Sequence, residues 1–579
     1  MKLLFITTTL AVIILTSGCI KHDKKLSAGV TYKPNSNYKI TTKDSTDYEP
    51  THNTRVANPY HELIPQLTSQ VPVQFRPHSR LFLTDIEDRP FFDYFAWQTF
   101  IGLIWPADPN YRGLADPKVE TAEQFLSTNI RNRQGLSVPV VWETFQTIQT
   151  ALPNPSNTEP AQPQPWNAEK YTRPYSFEQM SKAKHLAALN EAFSSPLIDQ
   201  NRQYVRYQLQ LNEVMYEFIR QNKWYLKKNL PKSPTQASLP PLALDEDGKV
   251  LSLVQPQTNS TVKQPVNGNS ITIKSAWRVM IEEQDISNAT NKWRKKDDLS
   301  RYFVTTSDIT DAVTNQPIEG QKMGLVGLHI VVKTPQFKQG IWASFEHVDN
   351  IKAPEGIRPS FNNGNGKFHP QGFSHKPNSL LSHAPKIEKH RDPVEVSRIY
   401  KIPDTPVATS EAFPYGLSTQ GINQRYQELL KGTVWENYQL VITQWPTDPG
   451  SFYAKPFFYP RGFPFMEKPT EKQPRAVKQV YQRALNNAKA AYPRWSGLPI
   501  PQVGALNTVM ETYFQNPNKD HNLEDTSCMG CHYGASDMDY SWALKLRTWP
   551  QSSKSGQGFE QGRINPEDTR RAKHPANIR

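Results

Sequence analysis

Cysteine is scarce in this chain: three in 579 residues, too few for a disulfide framework, so most of the fold must be held by packing. The apolar run near the start, Leu3 to Leu15, is shorter than the roughly 20 residues a membrane-spanning helix needs. Dense basic runs with interleaved aromatics are missing too, so the formal net charge of +13 does not point to nucleic acid. There is no internal repeat. What is plentiful is aromatic and proline: 13 Trp, 24 Tyr and 26 Phe supply large apolar surfaces, and 49 Pro cluster between periodic segments, which predicts compact elements joined by long surface loops.

The first residues, MKLLFITTTLAVIILTSGC, combine a charged start at Lys2, the short apolar run and small residues before Cys19. That is the pattern of an export signal, and its end resembles a bacterial lipoprotein signal. The resemblance implies cleavage after residue 18 and acylation of Cys19, with several acyl chains giving a stable anchor at about 0.8 kcal/mol per buried CH₂. Ile20 stands where an Asp would signal retention in the inner membrane, so the expected location is the outer membrane, facing the periplasm. The basic balance then favours an acidic redox protein or a phospholipid surface as partner.

Residues 19–80 are polar and aperiodic and are expected to form a flexible tether, whose about 60 residues would reach on the order of 40 Å. An α+β body is expected over 81–500 and a distinct C-terminal segment over 501–579. Pro90 and the apolar stretch to Trp105 predict a buried helix; SFEQMSKAKHLAALNEAF, YQLQLNEVMYEFIRQNKWY and INQRYQELLKG predict three more. SITIKSAWRVMI, KMGLVGLHIVVKT, GIWASFEHVD and TVWENYQLVITQW are short, rich in β-branched and aromatic residues, and read as strands of a mainly antiparallel sheet. The second and third of these are expected to pair as a hairpin across PQFKQ. The Gly- and Pro-rich loop 352–392 carries His369, His375, His383 and His390, whose spacing matches no standard ligand pattern.

The two remaining cysteines stand in SCMGCHYG: Cys528, Cys531 and His532 form C-x-x-C-H, the attachment pattern of c-type haem. Two thiols three residues apart can bond two vinyl groups on one porphyrin edge, while the next imidazole reaches the iron. A redox C-x-x-C prefers a βαβ setting that is not seen here, a zinc site lacks further cysteines once Cys19 is taken by the anchor, and a structural disulfide across C-x-x-C would be a small, strained clip. The sixth iron ligand decides the chemistry. Met538, the only methionine downstream, is too close in sequence to swing to the far face, so the distal candidates are upstream: Met510 on an expected helix, His329 and His347 in the sheet. The tail is too short and polar to enclose a haem alone, so the body should share in the pocket, with Met510, Tyr513, Phe514 and Trp542 as lining.

The stretches FFDYFAWQTFIGLIWPA, VWETF, GLHIVVKTP, WASFEHVDN, GTVWENYQLVITQWP, NTVMETYFQ and SCMGCH together resemble a group of exported bacterial mono-haem proteins of the cytochrome c family. The resemblance implies one covalent haem c held by Cys528, Cys531 and His532, and names no substrate. Glu143, Glu346, Asp349 and Glu436 sit inside these aromatic motifs, where capping or pairing with Arg is the ordinary role. The expected function is a membrane-anchored periplasmic mono-haem cytochrome passing single electrons. The alternatives are a peroxidase-like haem oxidoreductase with an open iron site, and a non-redox surface protein stabilised by its haem.

Overall fold

The computed structural model describes residues 60, 63–72, 88–128, 135–153, 158–173, 175–176, 197–230, 243–244, 250–251, 269–286, 294–310, 316–334, 337, 339–362, 396, 398, 401–445, 506–512, 528, 532, 535 and 538–550. Their architecture is α+β, built on one mostly antiparallel sheet with a few helices.

The strands, in chain order, are β1 (Gln146–Thr147), β2 (Tyr175–Ser176), β3 (Arg206–Leu211), a separate pair β4 (Ala243–Leu244) and β5 (Val250–Leu251), β6 (Ile271–Val279), β7 (Val304–Thr310), β8 (Pro317–Val332), β9 (Ile341–His347) and β10 (Tyr438–Gln444). The helices are α1 (Arg89–Leu103), α2 (Ala122–Thr128), α3 (Ile148–Ala151), α4 (Glu213–Gln221), α5 (Thr419–Leu429) and α6 (Trp542–Arg547). In the main sheet the order runs β1-β3-β6-β8-β7-β2, with β9 and then β10 added to β8. The 16-residue β8 is its spine: the first half pairs with β7 and the second half with β9. Seven of the eight main-sheet strands join by antiparallel pairing, and only β2 is parallel to its neighbour.

Strand alternation sends Leu328, Ile330 and Phe345 to one face, where α1 and α5 cover them. Every residue of α1 except Tyr94 is buried. Phe100 stacks on Phe345 at 4.4 Å and Trp97 on Tyr426 of α5 at 4.8 Å. Asn423 ties three elements together: its Oδ1 accepts from Trp97 Nε1 (2.9 Å) and from the Leu440 amide (2.9 Å), and its Nδ2 donates to the Leu440 carbonyl (2.8 Å). Burying an aromatic of this kind contributes roughly 1.5–3 kcal/mol, so this face is the main core.

The expected helix at 90–105, the four strand segments and the β8–β9 hairpin appear at their places, with two refinements. In TVWENYQLVITQW the first part is a 3-10 turn, Val434–Asn437, and only Tyr438–Gln444 is strand. The expected helix in YQLQLNEVMYEFIRQNKWY begins later: residues 206–211 form β3, because Tyr207, Leu209 and Leu211 alternate and pair with β6, and Asn212 then caps α4 through the Met215 amide. Within the span expected as tether, residues 63–72 are packed on the body. Leu63 and Val71 are buried against α1, the Tyr94 hydroxyl donates to the Ile64 carbonyl (2.8 Å), and Gly102 brings α1 so close to Gln70 and Val71 that no side chain would fit. The expected helix over 177–193 and the histidines of 363–392 lie outside the described residues, as do Cys19 and the leader. Among the described residues no helix is long and apolar enough to cross a membrane.

Candidate functional site

The opposite face of the sheet carries the C-terminal segment. Register places Lys274, His329 and Ser344 side by side on β6, β8 and β9, with Gly327 opposite Glu346 and Val331 opposite Trp342 on the same face. Residues 506–512 lie across it as turns rather than as the expected helix. Their polar groups are claimed by the sheet: Asn507 Nδ2 donates to the Phe345 carbonyl (2.7 Å), and the Tyr207 hydroxyl donates to the Val509 carbonyl (2.6 Å). Within the segment the Glu511 amide donates to the Asn507 carbonyl (3.1 Å), a single helix-like turn. Gly327 leaves the room for Val509, whose Cγ2 would stand 2.6 Å from any added Cβ.

Farther along the chain, Cys528 and His532 both have helical backbone and are half-buried. A relay of turns follows: the Ala535 amide donates to the His532 carbonyl (2.9 Å), and the Met538 and Tyr540 amides both donate to the Ala535 carbonyl (2.9 Å each). This fold-back delivers the Tyr540 carbonyl to His532 Nδ1 at 2.7 Å. A carbonyl can only accept, so Nδ1 carries the hydrogen. Burial pushes the His532 pKa down to about 4, aided by Lys274 and His329, with the Tyr540 carbonyl and Glu511 pulling upward. At neutral pH the ring is therefore neutral, and Nε2 presents a bare lone pair. The Trp342 ring packs on the imidazole, centroids 4.4 Å apart and tilted by 54°.

Two further connections hold this segment. Lys333, at the end of β8, pairs with Asp539, both buried. Ser541 caps α6, whose Leu544 enters the main core, and beyond it the Trp549 amide donates to the Tyr225 carbonyl (2.9 Å) while the Lys227 amide donates to the Trp549 carbonyl (2.7 Å).

The distal candidates separate. His329 shares the face of Trp342 and lies diagonal to it, about 7–8 Å away by antiparallel geometry; its Nε2 is 3.0 Å from Glu511 Oε1. Met510 is fully buried near Gly327, two residues from His329 along β8. His347 is committed elsewhere. Its Nδ1 accepts from the Asp349 amide (3.1 Å), its Nε2 donates to the Arg301 carbonyl (2.9 Å), and its ring stacks on Tyr302 at 4.0 Å, so neither nitrogen is left for a metal. Tyr513, Phe514 and Cys531 lie outside the described residues; Trp542 is half-buried beneath the Lys545 ammonium.

The four motif acids are held in structural pairings. Glu143 binds Arg173 and accepts from Thr305 (2.7 Å), Asp349 binds Arg301 (2.9 Å), and Glu436 accepts from the Gly432 amide (3.0 Å). Glu346 pairs with Arg398 and accepts from Gln439 (3.0 Å) and from both the amide and the hydroxyl of Thr508.

A covalent haem needs a thiol and a neutral imidazole whose outer nitrogen is hydrogen-bonded away from the iron. Cys528 and His532 fit that requirement, the latter through the Tyr540 carbonyl. Among the described residues no group of three or more His, Cys, Asp or Glu is arranged for a metal ion. Sequence reasoning missed Trp342, Lys333, Asp539 and Tyr540. Trp342 stands in WASFEHVDN and could have been noticed; nothing in the local sequence marks the others. Comparison with protein-family models, curated proteins and solved structures gave no match.

Proposed function

We propose that this chain is an exported, lipid-anchored c-type cytochrome that carries one haem on Cys528 and Cys531, with His532 as the proximal iron ligand, and passes single electrons to a redox partner with an acidic docking face. Cys19 is the acylation site in this reading, and the basic charge of the chain steers the partner. The haem supplies a one-electron iron couple.

The observation that carries the reading is the His532 tautomer. The Tyr540 carbonyl fixes the hydrogen on Nδ1 at 2.7 Å, which leaves Nε2 as a donor atom of fixed direction and raises its basicity. Trp342 restricts rotation of the ring from one side. Desolvation lowers the His532 pKa to about 4, so the imidazole stays neutral at neutral pH.

A peroxidase-like oxidoreductase is the second reading, and the His329–Glu511 contact at 3.0 Å favours it. An imidazole and a carboxylate in contact, on the face that carries His532, could hold and release a proton beside a bound peroxide. Optical spectra of the full chain produced with c-type maturation separate the two. A low-spin spectrum indifferent to carbon monoxide is expected for the electron carrier, a high-spin one that responds to carbon monoxide or peroxide for the enzyme. A colourless protein without added porphyrin mass would sink both.

A further inference from the structure

We propose that Lys333 and Asp539 act as a positioning latch for the proximal histidine, holding the Tyr540 carbonyl on His532 and thereby setting the electron-donating strength of the imidazole; this rests on the haem reading above.

The geometry begins with two consecutive residues in the left-handed region, Asp539 at φ 54° and Tyr540 at φ 60°. Neither is glycine, so each side chain is strained in this conformation. Left to itself this dipeptide would relax to a right-handed or extended conformation and swing the Tyr540 carbonyl away. Something outside the turn must hold it. Within the turn, the Tyr540 amide is fixed to the Ala535 carbonyl (2.9 Å) and the Ser541 amide to the Met538 carbonyl (3.0 Å). From outside, the Lys333 ammonium grips the Asp539 carboxylate, with side-chain exposures of 7% and 0%. Lys333 is itself anchored, its amide donating to the Ser270 carbonyl (3.1 Å) beside β6. The rigid sheet is thus coupled to the His532 ring through two short links: Lys333 to Asp539, and Tyr540 to Nδ1.

The hydrogen bond from Nδ1 to a carbonyl gives the ring partial imidazolate character, which favours ferric over ferrous iron. Cutting the latch should raise the midpoint potential without removing any iron ligand. A buried Asp539 stripped of its cation would also destabilise the turn, so a compensated variant is needed.

The experiment measures two quantities on the full chain: the midpoint potential of the haem-loaded protein and the ¹⁵N chemical shifts of the His532 ring. In Lys333→Met the potential should move positive and the protonated Nδ1 signal should broaden or exchange with solvent. Adding Asp539→Gly removes both the stranded carboxylate and the left-handed penalty, and should bring the potential and the Nδ1 signal back toward wild type. The proposal is overturned if Lys333→Met folds with wild-type potential and ring shifts, or if the double variant restores folding while the potential stays displaced. Should the chain carry no porphyrin, the ring shifts of the colourless protein still decide the latch, so failure of the cofactor reading and failure of the latch are told apart.

Discussion

Glu346 and Thr508 are joined twice, the carboxylate accepting from the Thr508 amide at 3.1 Å and from its hydroxyl at 2.7 Å, across 162 residues of sequence. With Arg398 and Gln439 on the same carboxylate, this is the centre from which the C-terminal segment is fastened to the sheet. Glu346→Ala strands the Arg398 guanidinium and removes both Thr508 bonds, and should cost about 3–5 kcal/mol in urea unfolding. Glu346→Gln keeps an acceptor oxygen and should cost clearly less. Equal losses for the two variants would show that the acid acts by packing alone.

Gly327 sets how closely residues 506–512 approach. A Cβ there would meet Val509 Cγ2 at 2.6 Å, and both residues are enclosed, so neither can step aside. Gly327→Val should lower stability by roughly 1–3 kcal/mol through overpacking and should expose the 506–512 stretch to protease before global unfolding. Limited proteolysis with mass mapping reads this; a wild-type digestion pattern would argue that the segment docks elsewhere.

His347 makes stability depend on pH. Burial pushes its pKa down to about 4, opposed by Asp349 and the Arg301 carbonyl, while an unfolded histidine titrates near 6.5. The unfolded chain therefore binds a proton that the folded chain refuses. The stabilisation is complete above about pH 6.5 and is lost as pH falls toward 4, by about 3 kcal/mol over that window. Urea midpoints measured from pH 7.5 to 4.5 should fall for wild type, and His347→Gln should show a shallower decline from a lower starting value.

Cys528 and Cys531 are predicted to be the attachment points of the porphyrin. The Cys528→Ala, Cys531→Ala double variant should lose all covalent haem staining on denaturing gels while retaining the Tyr207–Val509 contact, whose two groups are a tyrosine hydroxyl and a backbone carbonyl. A stained band persisting in the double variant would refute the attachment.

Sequence made the strands of the body legible because their chemistry is local: Ile271, Ile273, Trp277 and Val279 fall on alternate positions in β6, as do Ile341, Ala343 and Phe345 in β9, and Gly340 marks the turn between β8 and β9. It misjudged β3, where Leu211 fits both the helix stripe continued by Met215 and Phe218 and the strand face shared with Tyr207 and Leu209, and pairing with β6 decides for the strand. It misjudged 506–512 as well, because Asn507, Thr508 and Val509 take hydrogen-bond partners on a sheet distant in sequence. The C-x-x-C-H spacing was readable from three residues. The Tyr540 carbonyl, Asp539 and Lys333 were not, since a backbone acceptor and a long-range ion pair leave no spacing to detect.

The Tyr207 hydroxyl closes on the Val509 carbonyl over 302 residues, and a loop of that length gains nothing until both ends are already shaped. The tail consequently joins the molecule late in assembly. On the proposed reading, the thiols of Cys528 and Cys531 would stay within reach of a ligating partner until that docking is made.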